Sequence, residues 1–340
     1  MESLTKRSLT AAQLDVLVRG SMGVGCRVET ELTDGWFNTA YRVRLDDGRP
    51  AVVKLAPPAD APVLTYERGI MATEAMVYRS LAPLASLASL ADGGVPTPTL
   101  LHEGDGFLAV SVLDGTPWDK LTDRLSPTAQ TALRRELGAV TARLHTLGPE
   151  DGRFGYPSAE SGLSAPDWRT AFTAMVDALL DDAVRWHSDL GVPSDDIRAL
   201  VARGARVLDE VTEPRLVHFD LWPGNIFVQV PGGDRPDARI TGIIDHERAF
   251  WGDPVAELVS LAFGGDIGPD SDLVAGYVRA GGRLDFTPAV RHRLALYSLY
   301  LGLLLVVECG PRGYVGDHLA YCHRNLAERV AEVRALDRRR

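Results

Sequence analysis

The stretch that decides the fold is His218-Phe219-Asp220-Leu221-Trp222-Pro223-Gly224-Asn225-Ile226-Phe227-Val228, followed by Gly242-Ile243-Ile244-Asp245. Asp220 and Asn225 stand five residues apart around a Pro-Gly turn. Residues 228–230 and 239–244 read as two short strands joined by the turn region Pro231-Gly232-Gly233-Asp234-Arg235-Pro236. A hairpin brings the start of its first strand beside the end of its second. Asn225 is therefore expected next to Asp245, with Asp220 one turn away. Two carboxylates and a carboxamide then converge at one rim of a small sheet. Such hard oxygen donors suit Mg²⁺, which takes few protein ligands plus waters and phosphate oxygens. The competing reading is a hairpin whose Asp and Asn only cap turns. One Asp alone would favour that reading; three oxygen side chains at these spacings favour the cation.

His-x-Asp, four residues, Asn, and then a distant Asp after two aliphatics is the kinase-type arrangement for phosphoryl transfer. Its wording resembles the aminoglycoside phosphotransferase and choline-kinase-like superfamily, whose usual form is His-Gly-Asp-Leu-His-x-Gly-Asn. The resemblance implies an α+β, bilobal, protein-kinase-like fold. Residues 1–113 would be an N-terminal nucleotide-binding lobe, an antiparallel sheet with a helix. Residues 114–340 would be a larger, mostly helical catalytic and substrate-binding lobe. It further implies that Asp220 accepts or orients the proton of an attacking hydroxyl, that Asn225 and Asp245 hold Mg²⁺, that His218 supports the loop, and that ATP or GTP is the co-substrate. The match continues through Glu247-Arg248-Ala249-Phe250-Trp251-Gly252-Asp253-Pro254. There Asp253 is expected to brace the catalytic loop by accepting backbone hydrogen bonds. His246 stands where the family has an aromatic, and it either packs as one or contacts substrate. Phe219 replaces a common Gly and Trp222 a common His; both could wall a pocket for an aromatic or sugar ring. No Phe-Gly follows Asp245 and no Ala-Pro-Glu closes an activation segment, which points to a small-molecule kinase.

Upstream, residues 26–32, 39–45 and 51–55 read as a β-meander. The loop at residues 34–39 keeps Gly35, Asn38 and Tyr41 of the family's phosphate-covering pattern, and its backbone N–H groups could cradle an anion. Lys54 sits in the apolar run Val52-Val53-Lys54-Leu55, where an unpaired ammonium is costly to bury. It is either an edge lysine facing water or the lysine that pairs with nucleotide phosphates. The second role asks for a glutamate on the next helix, expected over residues 71–81. Glu74 and Glu67 both qualify, and the spacing does not choose between them. A hairpin over residues 100–102 and 107–112 follows; the resemblance places the interlobe hinge at its end, with backbone groups from Ser111 to Leu113 reading the purine edge.

Helices are expected over residues 9–19, 128–147, 168–190, 194–211, 294–307 and 316–336. His145 reads as a core or helix-end histidine. The 340 residues are 45% hydrophobic and 24% charged, an ordinary globular mix for two lobes. A net charge of -10 argues against nucleic acid. The run over residues 294–307 is too short for a membrane span and reads as a buried helix. Cys26, Cys309 and Cys322 are scattered with no metal or disulfide spacing, which suggests a reducing cytoplasm and apolar filler. By family likeness the acceptor is a hydroxyl of an antibiotic of aminoglycoside, nucleoside, macrolide or peptide type, and the enzyme a monomer or homodimer. A metabolic kinase of a sugar or amino alcohol, or a nucleotide-binding pseudokinase, are the alternatives. The acids at Asp181-Asp182, Asp189 and Asp195-Asp196 are either a solvated helix surface or a face for a cationic substrate.

Overall fold

The computed structural model describes residues 5–35, 37–85, 94–104, 106–230 and 238–338. Its chain opens with α1 (Ala11–Met22), started by a capping box in which Thr10 accepts from Gln13 N and the Gln13 side chain returns to Thr10. The helix runs past residue 19, the end expected from sequence, to Gly23, whose φ of 71° makes the left-handed cap. Next come β1 (Cys26–Leu32), β2 (Thr39–Leu45), β3 (Pro50–Leu55), α2 (Ile70–Ala85), β4 (Leu100–Gly104) and β5 (Phe107–Ser111). The strands form one antiparallel sheet in the order β1-β2-β3-β5-β4. Strict alternation along β2 buries Thr39, Tyr41, Val43 and Leu45. Leu14 and Val18 of α1 cover one sheet face with Val43, Leu55 and Phe107, while Ala75 and Tyr78 of α2 pack on Leu108 and Val110. Proline would be expected to end or kink a helix, yet Pro83 lies within the last turn of α2.

The chain continues with β6 (Thr116–Pro117), α3 (Pro127–Leu144), β7 (Phe154–Gly155), β8 (Ser164–Ala165), α4 (Trp168–Arg185), α5 (Ser194–Gly204), β9 (Arg215–Val217), β10 (Ile226–Gln229), β11 (Arg239–Ile243), β12 (Phe250–Gly252), α6 (Glu257–Leu261), α7 (Asp272–Arg279), α8 (Pro288–Arg312) and α9 (Asp317–Asp337). The fold is therefore α+β and bilobal, of the protein-kinase-like kind. The expected hairpin is β10–β11, with Ile226 opposite Ile243; its connecting turn lies outside the described residues. β6 adds to β10 on the other side. Gly115 must be glycine there, because its φ is +108° and a Cβ would sit 2.8 Å from the Val228 carbonyl oxygen.

The apolar run over residues 294–307 is the middle of a longer helix. Thr287 accepts from Val290 N and Pro288 opens the first turn, so α8 spans 25 residues. By length and composition it could cross a membrane, yet 78% of its most apolar window is buried inside the protein, as for a core helix.

Candidate active site

The loop after β9 is shaped by one buried carboxylate. Glu257 accepts from the His218 backbone N–H at 2.7 Å and the Phe219 N–H at 2.9 Å, and its side chain is 0% exposed. Ser260 donates its hydroxyl to Glu257 at 3.1 Å and accepts from Leu221 N at 3.1 Å. Phe219 takes φ of 62°, a conformation glycine adopts freely and a side chain adopts at a cost of about 1–2 kcal/mol. Its ring is buried against Phe250 and Tyr300, which offsets that strain. The bend leaves Asp220 with 23% of its side chain exposed. His218 accepts from Asp220 N at Nδ1 (3.2 Å), so its proton sits on Nε2, directed to the Ile244 carbonyl at 3.0 Å. It thus ties the loop to the end of β11.

Asn225 follows around the Pro-Gly turn. Its amide nitrogen donates to the Asp220 carbonyl (2.9 Å) and carboxylate (3.1 Å), and its own carbonyl accepts from Ile244 N at 3.1 Å. Asp245, next along, has a left-handed φ of 68°. The structure therefore brings Asp220, Asn225 and Asp245 to one rim of the hairpin. The ammonium of Lys54 reaches the same rim from β3, 2.7 Å from Asp245, 2.6 Å from Glu74 and 3.7 Å from Glu247. The three carboxylates converge within 4.8 Å of one another, with Lys54 as their cation. Tyr78 donates to Glu74 at 3.1 Å. Glu74, not Glu67, is the Lys54 partner. Glu67 instead accepts from Leu64 N and pairs with Arg312 of α8.

Burial disfavours the Lys54 charge, but Asp245, Glu74 and Glu247 outweigh it and lift its pKa well above the usual lysine value. Burial also opposes the Asp245 charge, yet Lys54 prevails and holds that carboxyl below the usual range. Asp220 moves the other way: burial raises it, only partly countered by Arg248, whose guanidinium lies 4.0 Å away. Arg248 in turn is held by Glu308 at 2.8 and 3.0 Å, and Glu308 also binds Arg312 (2.6 Å) and the Tyr66 hydroxyl (2.6 Å).

The structure corrects the expectations for Phe219 and Asp253, decides between the alternatives left open for His246, and places the other site residues. Phe219 and His246 are each 1% exposed and present no face to a substrate. His246 packs edge-on to Tyr78 and His218, shares a hydrogen bond with Thr97, and burial pushes its pKa well below the usual histidine value. Asp253 does not reach the catalytic loop; it caps its own turn at Val255 N and holds Arg293 and Tyr297 of α8. Glu257 does the bracing instead. Asn38 is buried, its amide nitrogen on Glu247 at 2.7 Å, so its side chain anchors the β1–β2 loop inward. Gly35 has neither a positive φ nor crowding, a Cβ there meeting only Asn38 O at 3.7 Å. The Ser111 N–H and hydroxyl are engaged by Thr99, while Leu113 lies over Gly242 of β11. Trp222 is 40% exposed, its ring over Gly224, where a Cβ would collide at 2.1 Å. His145 ends α3 against Tyr277 in the core. The acids of the helical insert are paired: Arg198 takes Asp177, Asp181 and Asp195, and Asp182 binds Thr65 and Arg185.

Sequence reasoning gave no role to Glu257, Glu247, Arg248 or Glu308. A signal existed for two of them. Glu257 interrupts Pro254-Val255-Ala256-Glu257-Leu258-Val259, and Glu308 ends Leu304-Leu305-Val306-Val307. A carboxylate inside an apolar run is buried, and a buried charge needs partners. The donor set at the rim also fits a hard divalent cation. It offers two carboxylates, and with the Asn225 nitrogen turned to Asp220 the amide oxygen is the atom left to a metal.

A family model described as the phosphotransferase enzyme family matches residues 28–297. The chain belongs to that family. It is thus a small-molecule phosphotransferase, an enzyme of the aminoglycoside phosphotransferase and choline-kinase-like superfamily. A Staphylococcus aureus protein assigned as a ketoamine kinase is 23% identical over 295 residues, 82% of this chain and 86% of its own length. A solved structure assigned as a fructosamine-3-kinase from Thermobifida fusca superposes with a TM-score of 0.68 at 21% identity, covering 96% of this phosphotransferase and 100% of that chain. A thermostable mutant of an aminoglycoside phosphotransferase, in ternary complex with AMP-PNP and hygromycin B, gives 0.60 at 20% identity, covering 94% and 98%.

Proposed function

We propose that this phosphotransferase moves the γ-phosphoryl group of Mg²⁺·ATP or Mg²⁺·GTP to a hydroxyl of a sugar that carries an amine adduct, a ketoamine. The observation that carries the phosphoryl-transfer half is Lys54 held between Glu74 and Asp245, at the same rim as Asp220 and Asn225. In this reading the Lys54 ammonium faces the nucleotide phosphates, fixed in direction by Glu74. Asn225 and Asp245 hold the metal, which neutralises charge on the transferring phosphates when bound. Asp220 orients the acceptor hydroxyl and takes its proton. The β1–β2 loop with Gly35 and Asn38 covers the phosphates through backbone N–H groups, and backbone atoms near Ser111 and Leu113 meet the base. The lobe division lies at residues 113 and 114, where the chain leaves β5 for β6.

The acceptor half is supported by the names of the ketoamine and fructosamine kinases this chain is similar to, and by Trp222. Its exposed indole stands two residues from Asp220, a flat apolar wall suited to a sugar ring. An antibiotic acceptor is the second reading, favoured by the likeness to the hygromycin-bound aminoglycoside phosphotransferase. Asp177, Asp181 and Asp195 share the single cation of Arg198, and Asp181 and Asp195 are exposed, so a negative face remains there for a cationic acceptor. Thiols at Cys26, Cys309 and Cys322 suit a reducing, cytoplasmic setting. The test is a mass gain of one phosphoryl group when Mg²⁺·ATP or Mg²⁺·GTP is offered with fructosyl-amino acids and, separately, with an antibiotic panel. Transfer only to antibiotics overturns the acceptor assignment. Silence with both, while nucleotide still binds, overturns the placement of the catalytic groups as well.

A further inference from the structure

The three cysteines carry no metal spacing in sequence, yet the fold gathers two of them with a histidine. α9 packs back along α8, close enough that a Cβ on Gly302 would lie 3.3 Å from the Leu326 Cα. Cys309, on the last turns of α8, and Cys322, on α9, are 3% and 0% exposed. His318 precedes Cys322 by one helical turn, on the same face. Its Nε2 lies 3.6 Å from the Cys322 sulfur, and the two sulfurs and this imidazole lie within 4.8 Å of one another. Tyr314 packs edge-on against the His318 ring.

We propose that Cys309, His318 and Cys322 form a binding site for one thiophilic cation, zinc being the fitting ion. Bonds of roughly 2.3 Å to sulfur and 2.0–2.1 Å to nitrogen in a tetrahedron place ligand atoms roughly 3.5–3.8 Å apart. The Cys322–His318 separation already matches, and the two edges to Cys309, each within 4.8 Å, need that sulfur to move by about an ångström or less. Apolar filling accounts for buried thiols, but not for an imidazole nitrogen turned toward one of them. Thiolate ligands select zinc over the hard Mg²⁺ of the nucleotide site, so the two cations do not compete. Binding releases the thiol protons. Three protein ligands leave the fourth position to water or an added ligand. The ion would clamp α8 to α9 near Glu308, and the site stands independently of the acceptor chosen above.

The experiment uses reduced, metal-stripped full-length protein titrated with Co²⁺, then Zn²⁺. The expected result is a sulfur-to-cobalt charge-transfer band saturating at one equivalent, bleached by zinc, with zinc raising the melting temperature. Cys309→Ser and Cys322→Ser should abolish the band. His318→Ala, at a partly exposed ring whose loss leaves the core packed, should weaken affinity tenfold or more with the fold intact by circular dichroism. Cys26→Ser should change nothing. Absence of the band in reduced protein overturns the site, as does a band that survives Cys322→Ser. So does a Cys309–Cys322 disulfide forming on mild oxidation of a protein that takes up no metal when reduced.

Discussion

Replacing Glu257 by Gln tests whether one buried carboxylate sets the catalytic loop. The side chain changes by a single atom, and the bonds to Phe219 N–H and Ser260 can persist at the remaining oxygen. The bond to His218 N–H cannot, because the new amide nitrogen would face another donor. Losing a hydrogen bond to a charged acceptor costs about 1.5–3 kcal/mol, and the stranded N–H about 1–3 more. A loss of roughly 3–5 kcal/mol is expected. With about 2.1 cal/mol/K of unfolding entropy per residue, 340 residues give about 0.7 kcal/mol/K, so the melting temperature should fall by about 4–7 °C. Displacement of Asp220 by a fraction of an ångström to an ångström should lower kcat by about 10²-fold at a temperature where the variant is fully folded. Calorimetry and steady-state kinetics read the two effects separately. A lowered melting point with unchanged kcat would refute the claim that Glu257 positions the loop, and no change in either would refute the packing argument as well.

Lys54→Met strips Glu74, fully buried, of its cation; a loss of about 3–5 kcal/mol by urea unfolding is expected, together with a raised nucleotide KM. Burial raises the Asp220 carboxyl, and the residue must be deprotonated to take a proton, so the acid limb of kcat/KM should lie above the ordinary aspartate value. Arg248→Gln removes the charge that lowers Asp220 and should move that limb to still higher pH; an unmoved limb would contradict the assignment of Asp220 as base. Glu136, accepting from Ile240 N, is pushed by burial from 4.5 to about 7. A raised carboxyl pKa favours the folded state below the unfolded value and loses that advantage as pH rises to about 7. Glu136→Gln, which imitates the protonated form, should therefore stabilise the protein by about 1–2 kcal/mol at pH above 7 and by nothing near pH 4, measured by chemical denaturation.

Local pattern carried the parts of the fold that depend on neighbours in sequence. Short apolar runs between turn residues marked β1, β2 and β3 as a meander, and the Pro-Gly turn with two aliphatic runs marked the β10–β11 hairpin and hence the meeting of Asn225 with Asp245. The helix ends were less legible. α8 begins six residues before its apolar run because Thr287-Pro288 is a start signal that outranks hydrophobicity. Choosing Glu74 over Glu67 needed the far side of the molecule, since what claims Glu67 is Arg312, 245 positions away. The same holds for Glu257 and Glu308, whose partners lie at distances no local window contains. The choice for His246 between packing and substrate contact, and the expectation of Phe219 as a pocket wall, turned on whether bulk beside Asp220 points to the cleft or the core, which local sequence does not carry; both are buried.

Arg312 also stacks over Phe37 at 5.4 Å, so the last turn of α8 holds both the tip of the β1–β2 loop and the segment entering α2. Chain ends are usual places to trim or fuse a protein, and here the two sides of that helix terminus would respond differently. Deleting α9 would expose an apolar seam. A cut a few residues earlier, taking Arg312, would in addition unfasten the β1–β2 loop and the segment entering α2.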